Sequence, residues 1–193
     1  MMQVVPRSIR HAQVGDADRI GAIQVRAWQA AYRGVMPDAY LDELNADDRA
    51  AYWRRQVLAL LPGQRLKVIV DDGVVVGFAA AGPENDGRAE GVGELYAINL
   101  DPQVWGRGLG RALLRDVIAD LAGLGYREAV LWVVPGNDRA RRFYESEEWR
   151  DDDVRRDDDV FGVVVPEMRY RRPLPTSGPD GSANDATSRC LDV

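Results

Sequence analysis

Glu94-Leu95-Tyr96-Ala97-Ile98-Asn99-Leu100-Asp101-Pro102-Gln103-Val104-Trp105-Gly106-Arg107-Gly108-Leu109-Gly110 is the stretch whose reading decides the fold. Leu95, Ala97, Ile98 and Leu100 make a mostly apolar strand over 94–100. Pro102 ends it, because proline has no N–H to donate to a ladder. Past the glycines, Leu113, Leu114, Val117, Ile118 and Leu121 recur at helical spacing and form one apolar face. The stretch therefore predicts a strand, a glycine-rich turn and a helix. Glycine has no Cβ, so backbone here can approach a ligand closely. A helix start leaves N–H groups without intrahelical partners at the positive end of the dipole, and such a place takes phosphate. Arg107 and Arg111 flank it and can add charge-assisted hydrogen bonds. The Gly-x-Gly-x-Gly spacing lacks the Lys-Ser/Thr of a Walker loop, and it is not the Gly-x-Gly-x-x-Gly of a dinucleotide-binding unit. By themselves the glycines also fit a tight turn that packs helix on strand.

A chain of 193 residues suits one domain with a substantial core. Its 25 basic against 31 acidic residues give a net charge of −6. That argues against a general nucleic-acid binder and is compatible with a cationic or amine substrate. Cys190 is the single cysteine, so no intrachain disulfide forms. No apolar run approaches the ~18 residues that span a membrane. Residues 1–7 lack the apolar middle of a signal peptide. The expectation is a soluble cytoplasmic protein with no membrane partner, monomer or homodimer undecided.

Around the central stretch, residues 8–14 read as a first strand, and Asp16 as the cap of the helix that follows. Ile20, Ile23, Ala27, Trp28 and Ala31 share one face of that helix, with Trp28 as a core aromatic. A second helix is expected over 47–61, with Trp53, Val57, Leu60 and Leu61 inward. Leu66–Asp71 and Val74–Ala81 form a hairpin, because Asp72-Gly73 suits positive φ at both turn positions. Residues 82–91 read as a loop, Gly125 as a helix cap and Ala129–Val134 as a buried strand. Asp151-Asp152-Asp153 and Asp157-Asp158-Asp159 bracket Arg155-Arg156; this run lacks EF-hand spacing and reads as a solvated hairpin tip rather than a metal site. Residues 160–172 are the last strand, where Pro166 implies an edge or bulge. The polar stretch 173–193 reads as a disordered tail behind a domain of 1–172.

A second motif follows the buried strand: Asn137-Asp138-Arg139-Ala140-Arg141-Arg142-Phe143-Tyr144. Asn137 or Asp138 caps a helix whose Ala140, Phe143 and Tyr144 share a side. Alone, that is an ordinary capped helix with buried aromatics. With the glycine loop one helix and one strand upstream, the chain over 8–172 resembles the GNAT superfamily of N-acetyltransferases. The family's pyrophosphate loop, Gln/Arg-x-x-Gly-x-Gly/Ala, falls on Trp105–Gly110, with Trp105 where Gln or Arg is usual. Its second motif, Asn-x-x-Ala-x-x-Phe-Tyr, falls on Asn137–Tyr144. The family's later glycine is replaced by Glu148, ahead of Trp149.

The resemblance implies an α/β fold of the α+β type: a mixed, mainly antiparallel central sheet with helices on both faces. It also implies a V-shaped splay between strands 94–100 and 129–134. Acetyl-CoA is the implied co-substrate. It would be held by Ile98, Asn99 and Leu100, by Trp105, Gly106, Arg107, Gly108, Leu109, Gly110 and Arg111, and by Asn137 and Tyr144. Tyr144, near the thioester sulfur, is the implied acid. Glu94 is the candidate base, acting directly or through a water, and Tyr32 joins it in the acceptor wall. The implied reaction moves the acetyl group directly to a primary amine of a small molecule or protein, without a covalent enzyme intermediate. A non-catalytic acyl-CoA-binding sensor is the second reading, and a nucleotide- or NAD-binding protein, resting on the glycines alone, the third.

Overall fold

The computed structural model describes residues 7–85, 90–160 and 162–175. The elements run β1 (Ser8–His11), α1 (Ala17–Ala31), α2 (Asp38–Glu43), α3 (Ala46–Leu58), β2 (Arg65–Asp71), β3 (Val74–Pro83), β4 (Val92–Leu100), α4 (Leu109–Gly123), β5 (Glu128–Val133), α5 (Asp138–Ser146), β6 (Arg150–Val160) and β7 (Val163–Pro173). They build one seven-stranded sheet in the order β1-β2-β3-β4-β5-β7-β6. All neighbours are antiparallel except β4 and β5. Asp72 (φ 50°) and Gly73 (φ 78°) make the expected tight turn between β2 and β3.

Each face of the sheet carries a core. On one, Leu113, Leu114, Val117 and Leu121 of α4 are fully buried against strand residues such as Leu131 and Ala79. Each large aliphatic buried in this way contributes roughly 1.5–3 kcal/mol. On the other, Ile20 and Ile23 of α1 and Trp53 of α3 pack on Val68 and Phe78. The apolar periodicity of these helices gives each one side to bury against the sheet.

The parallel pair β4–β5 decides where a ligand fits. Its register runs only from Val92↔Glu128 to Leu95↔Leu131. Beyond that, β5 stays with β7 as far as Val133↔Met168, while β4 stays with β3 as far as Leu100↔Gly77. Residues 96–100 of β4 therefore have one unpaired backbone edge facing a gap. This is the expected splay.

Four local expectations give way. Asp16 precedes α1 but makes no side-chain cap to it; its carboxylate instead accepts from Gln13 N (2.7 Å) and from both Arg10 Nη atoms (2.7 and 2.9 Å). Leu60 and Leu61 lie past the end of α3 and are exposed. The acidic run is not a tip but the strand β6, paired with β7 from Arg155↔Met168 to Val160↔Val163. Several of its charges are paired: Asp151 takes Arg155 (2.7 Å), and Asp152 takes Arg169 (2.8 Å) and Arg171 (3.2 Å). Leu174 is buried and its N–H donates to Arg127 O (2.8 Å), so ordered packing continues past residue 172. The rest of the expected tail, from residue 176 and including Cys190, lies outside the described residues. Pro166 sits in the part of β7 that has β6 on one side and no β5 on the other, as a proline without an N–H requires.

Candidate functional site

The gap beside β4 opens into a cavity of about 390 Å³. One wall is Ile98, Asn99 and Leu100; the floor is the turn from Trp105 to Gly110; the far wall is Asn137, at the N-terminus of α5, with Phe143 and Tyr144 of that helix. Gly108 is the N-cap of α4 in the left-handed region (φ 78°, ψ 0°), and Gly106 has φ 79°. A Cβ at either would point into open space, with no atom within 4 Å. Gly110 differs: a Cβ there would meet Leu100 at 3.4 Å and Phe143 at 3.7 Å, ordinary contacts. The turn is thus a cradle of bare backbone at a helix N-terminus.

Three arginines were candidates or neighbours of that cradle, and they divide. Arg107 turns away, its guanidinium 3.2 Å from Asp71, and it does not line the cavity. Arg111 lines it, held from behind by the buried Glu147, which also takes Arg115 (2.9 Å). Arg139 was not singled out from sequence. It stacks on Trp105, 4.0 Å from guanidinium to ring centre, and lines the same cavity. Trp105 is itself pinned by its indole N–H, which donates to Leu100 O (3.0 Å). No acidic side chain pairs with Arg139 among the described residues. The aromatic that replaces the usual Gln or Arg therefore serves as a shelf for a cation from α5.

Asn137 is buried and caps α5 through Oδ1, which accepts from Ala140 N (3.1 Å). Its side chain also engages the Tyr32 hydroxyl, opposing the rise that burial gives that phenol. Glu148 has φ 67°, the conformation a glycine would take without strain, at a cost of about 1–2 kcal/mol. Trp149 beside it is fully buried.

A second cavity, about 370 Å³, lies on the other side of Tyr144 and shares Tyr32, Ile98, Asn99 and Trp132 with the first. Glu94 lines it and is only 4% exposed; its Oε2 accepts from Asn85 N (2.8 Å). Burial and the charge of Glu94 push the neighbouring Tyr96 phenol up to about 12. Tyr144 is 9% exposed among Phe143, Trp149 and Tyr170. Burial, with Tyr32 adding to it, holds its proton far above the usual tyrosine range. Trp28 is not simply core: it meets Tyr32 edge-on (5.5 Å) and lines this cavity. Arg156, Asp158, Asp159 and Glu167 also line it; the first three were read from sequence as part of a solvated tip, and Glu167 was not picked out. Burial raises Glu167, and Arg156 works against the rise.

The first cavity fits a coenzyme A ester. A left-handed glycine cradle at a helix start suits a diphosphate, two arginines border it, and an unpaired strand edge suits an extended amide-bearing arm. Among the described residues no helix is long and apolar enough to cross a membrane.

Residues 25–147 match the acetyltransferase (GNAT) family. An uncharacterized N-acetyltransferase of Archaeoglobus fulgidus is 29% identical over 144 residues, covering 74% of this chain and 92% of that protein. The mycothiol acetyltransferase of Geodermatophilus obscurus is 43% identical over 63 residues, but the match spans only 33% of this chain and 20% of that one. Among solved structures, yncA of Salmonella typhimurium, a putative acetyltransferase with its cofactor acetyl-CoA, superposes with a TM-score of 0.64 at 23% identity, covering 92% and 99% of the two chains. The paia N-acetyltransferase of Thermoplasma acidophilum, in complex with coenzyme A, superposes at 0.62 with 17% identity, covering 87% and 100%.

Proposed function

We propose, from the premise that this chain belongs to the acetyltransferase (GNAT) family, that it moves an acetyl group from acetyl-CoA directly to a primary amine of a small molecule or protein. The observation that carries this reading is the junction of the two cavities. A phosphate-type cradle lies on one side of Tyr144 and a buried carboxylate, Glu94, on the other. Acetyl-CoA, when bound, supplies an activated acetyl thioester. The chain's own residues do the rest. Gly106, Gly108 and the first N–H groups of α4 hold the diphosphate. The free edge at Ile98, Asn99 and Leu100 aligns the arm, and one N–H aimed at the thioester oxygen is worth about 10²–10³ in rate.

The transfer balances without an enzyme-bound acyl group. The incoming ammonium gives a proton to Glu94 or to a water it holds. The freed nitrogen bonds to the acetyl carbon as the carbon–sulfur bond breaks, and the sulfur's new charge is met by the Tyr144 hydroxyl. The products are an amide, a thiol and one proton. General bases placed like this contribute roughly 10²–10⁴.

The test is thermal unfolding followed by turnover. Acetyl-CoA at a hundredfold excess over its Kd adds about 2.7 kcal/mol to stability, which raises Tm by roughly 5–10 °C in a chain of this size. ATP and NAD should leave Tm unchanged. Thiol release on adding a primary amine separates a transferase from a binding module; a Tm rise with no release from any amine sinks the catalytic half.

Arg139 is assigned the cationic contact that Trp105 does not make. Arg139→Ala should weaken acetyl-CoA binding about tenfold and reduce the salt dependence of Kd. Trp105→Ala should do the same by removing the shelf. Calorimetric Kd values at two salt concentrations check this; an unaltered Kd in Arg139→Ala rejects the assignment.

A further inference from the structure

We infer that the acceptor amine carries a second positive charge, bound by the Glu94–Glu167 cavity while the first nitrogen is acetylated. The inference rests on the transferase reading above and names its substrate class. It begins with position: the cavity meets the acetyl-CoA cavity at Tyr144, so whatever occupies it faces the thioester. Among the described residues its wall then sets four carboxylates, Glu94, Asp158, Asp159 and Glu167, against one guanidinium, Arg156.

That guanidinium shows how the wall treats cations. Arg156 lies over the face of Trp132, 4.0 Å from the ring centre, and pairs with Glu167 (2.8 Å) and Asp158 (3.5 Å). An aromatic face backed by a carboxylate is the standard receptor for an organic cation. Trp28 and Tyr96 offer further ring surface in the same cavity, next to Glu94, which is buried.

One charge on the acceptor is not enough to use this wall. The reacting nitrogen must shed its proton before it attacks and becomes positive again only while the carbon–nitrogen bond forms, ending as a neutral amide, so it does not hold a constant charge against the wall. A charge that complements the carboxylates throughout the reaction has to sit on a second group. A neutral tail would gain nothing from this excess of carboxylates over guanidinium, and an anionic tail would be repelled. The class is an aliphatic diamine or a larger amine with a second cationic centre.

Three acceptors with the same four-carbon chain make the test: putrescine, ending in a second ammonium; butylamine, ending in a methyl; and γ-aminobutyrate, ending in a carboxylate. Thiol release is measured with each at saturating acetyl-CoA. The expected kcat/KM for putrescine exceeds that for butylamine at least about tenfold, and γ-aminobutyrate is the slowest. Glu167→Gln and the more exposed Asp158→Asn should each narrow the putrescine-to-butylamine ratio, chiefly through KM. Equal rates for putrescine and butylamine, or a ratio unmoved in both variants, overturn the inference and leave the transferase reading standing. No release from any of the three, with the acetyl-CoA rise in Tm intact, overturns the inference; the transferase reading falls with it only if no other primary amine gives release.

Discussion

Gly108→Val is expected to raise the Kd for acetyl-CoA at least about 100-fold and to abolish the rise in Tm on adding it. Two costs combine. The residue sits at φ 78°, where a side chain costs about 1–2 kcal/mol and a β-branched one more, so the cap of α4 shifts or strains. The new methyls then project into the open side of the cradle, where no protein atom lies within 4 Å and the diphosphate would sit. Two controls separate these terms. Gly108→Ala keeps most of the conformational cost with little of the volume and should fall in between. Gly110→Ala meets only Leu100 and Phe143 at ordinary contact distance and should bind within about twofold of the parent. Circular dichroism and the ligand-free Tm establish that each variant folds. Parental affinity in a folded Gly108→Val protein would remove the cradle from the binding site.

That prediction was within reach of the sequence, because the information is local. Glycines that interrupt an apolar strand and an apolar helix mark a turn, and Asn137–Tyr144 marks a second helix start. The splay followed only from resemblance, since nothing in the pattern of β4 says that its pairing with β5 stops at Leu95. β6 was illegible for a different reason. It is built from blocks of like charge with almost no apolar residue, and Asp153 at φ 63° interrupts the register between Asp151 and Arg155. A strand stabilised by cross-strand ion pairs with β7 has no apolar signature to read. The same blindness hid the charged wall of the second cavity, because Arg156, Asp158 and Glu167 reach it from those two strands. Arg139 was hidden by distance along the chain: it matters because α5 lays it on Trp105, and no spacing rule connects the two.

Tyr144→Phe is expected to lower kcat about 10²-fold while leaving the Kd of acetyl-CoA within about twofold. The ring stays, and with it the packing on Trp149 and Tyr170, so the substitution isolates the hydroxyl. The environment also decides what that hydroxyl can do. An ordinary thiol titrates near 8.5, far below a phenol that burial holds well above its usual range. Full proton transfer from Tyr144 to the departing sulfur would run uphill. On the proposed reading the hydroxyl instead donates a hydrogen bond to the sulfur as charge develops, and solvent completes the protonation after release. Two consequences distinguish this from full acid catalysis. The kcat profile should rise with pH as the amine loses its proton and show no fall near 10 from Tyr144, because the folded-state shift is upward. The deficit of the Phe variant should be the same at every pH on that profile. A deficit that shrinks at the alkaline end of the profile, as expected of an acid being titrated away in the parent, would restore the proton-transfer role. An unchanged kcat would remove Tyr144 from the chemistry and leave water at the sulfur, with the buried phenol serving only to separate the two cavities.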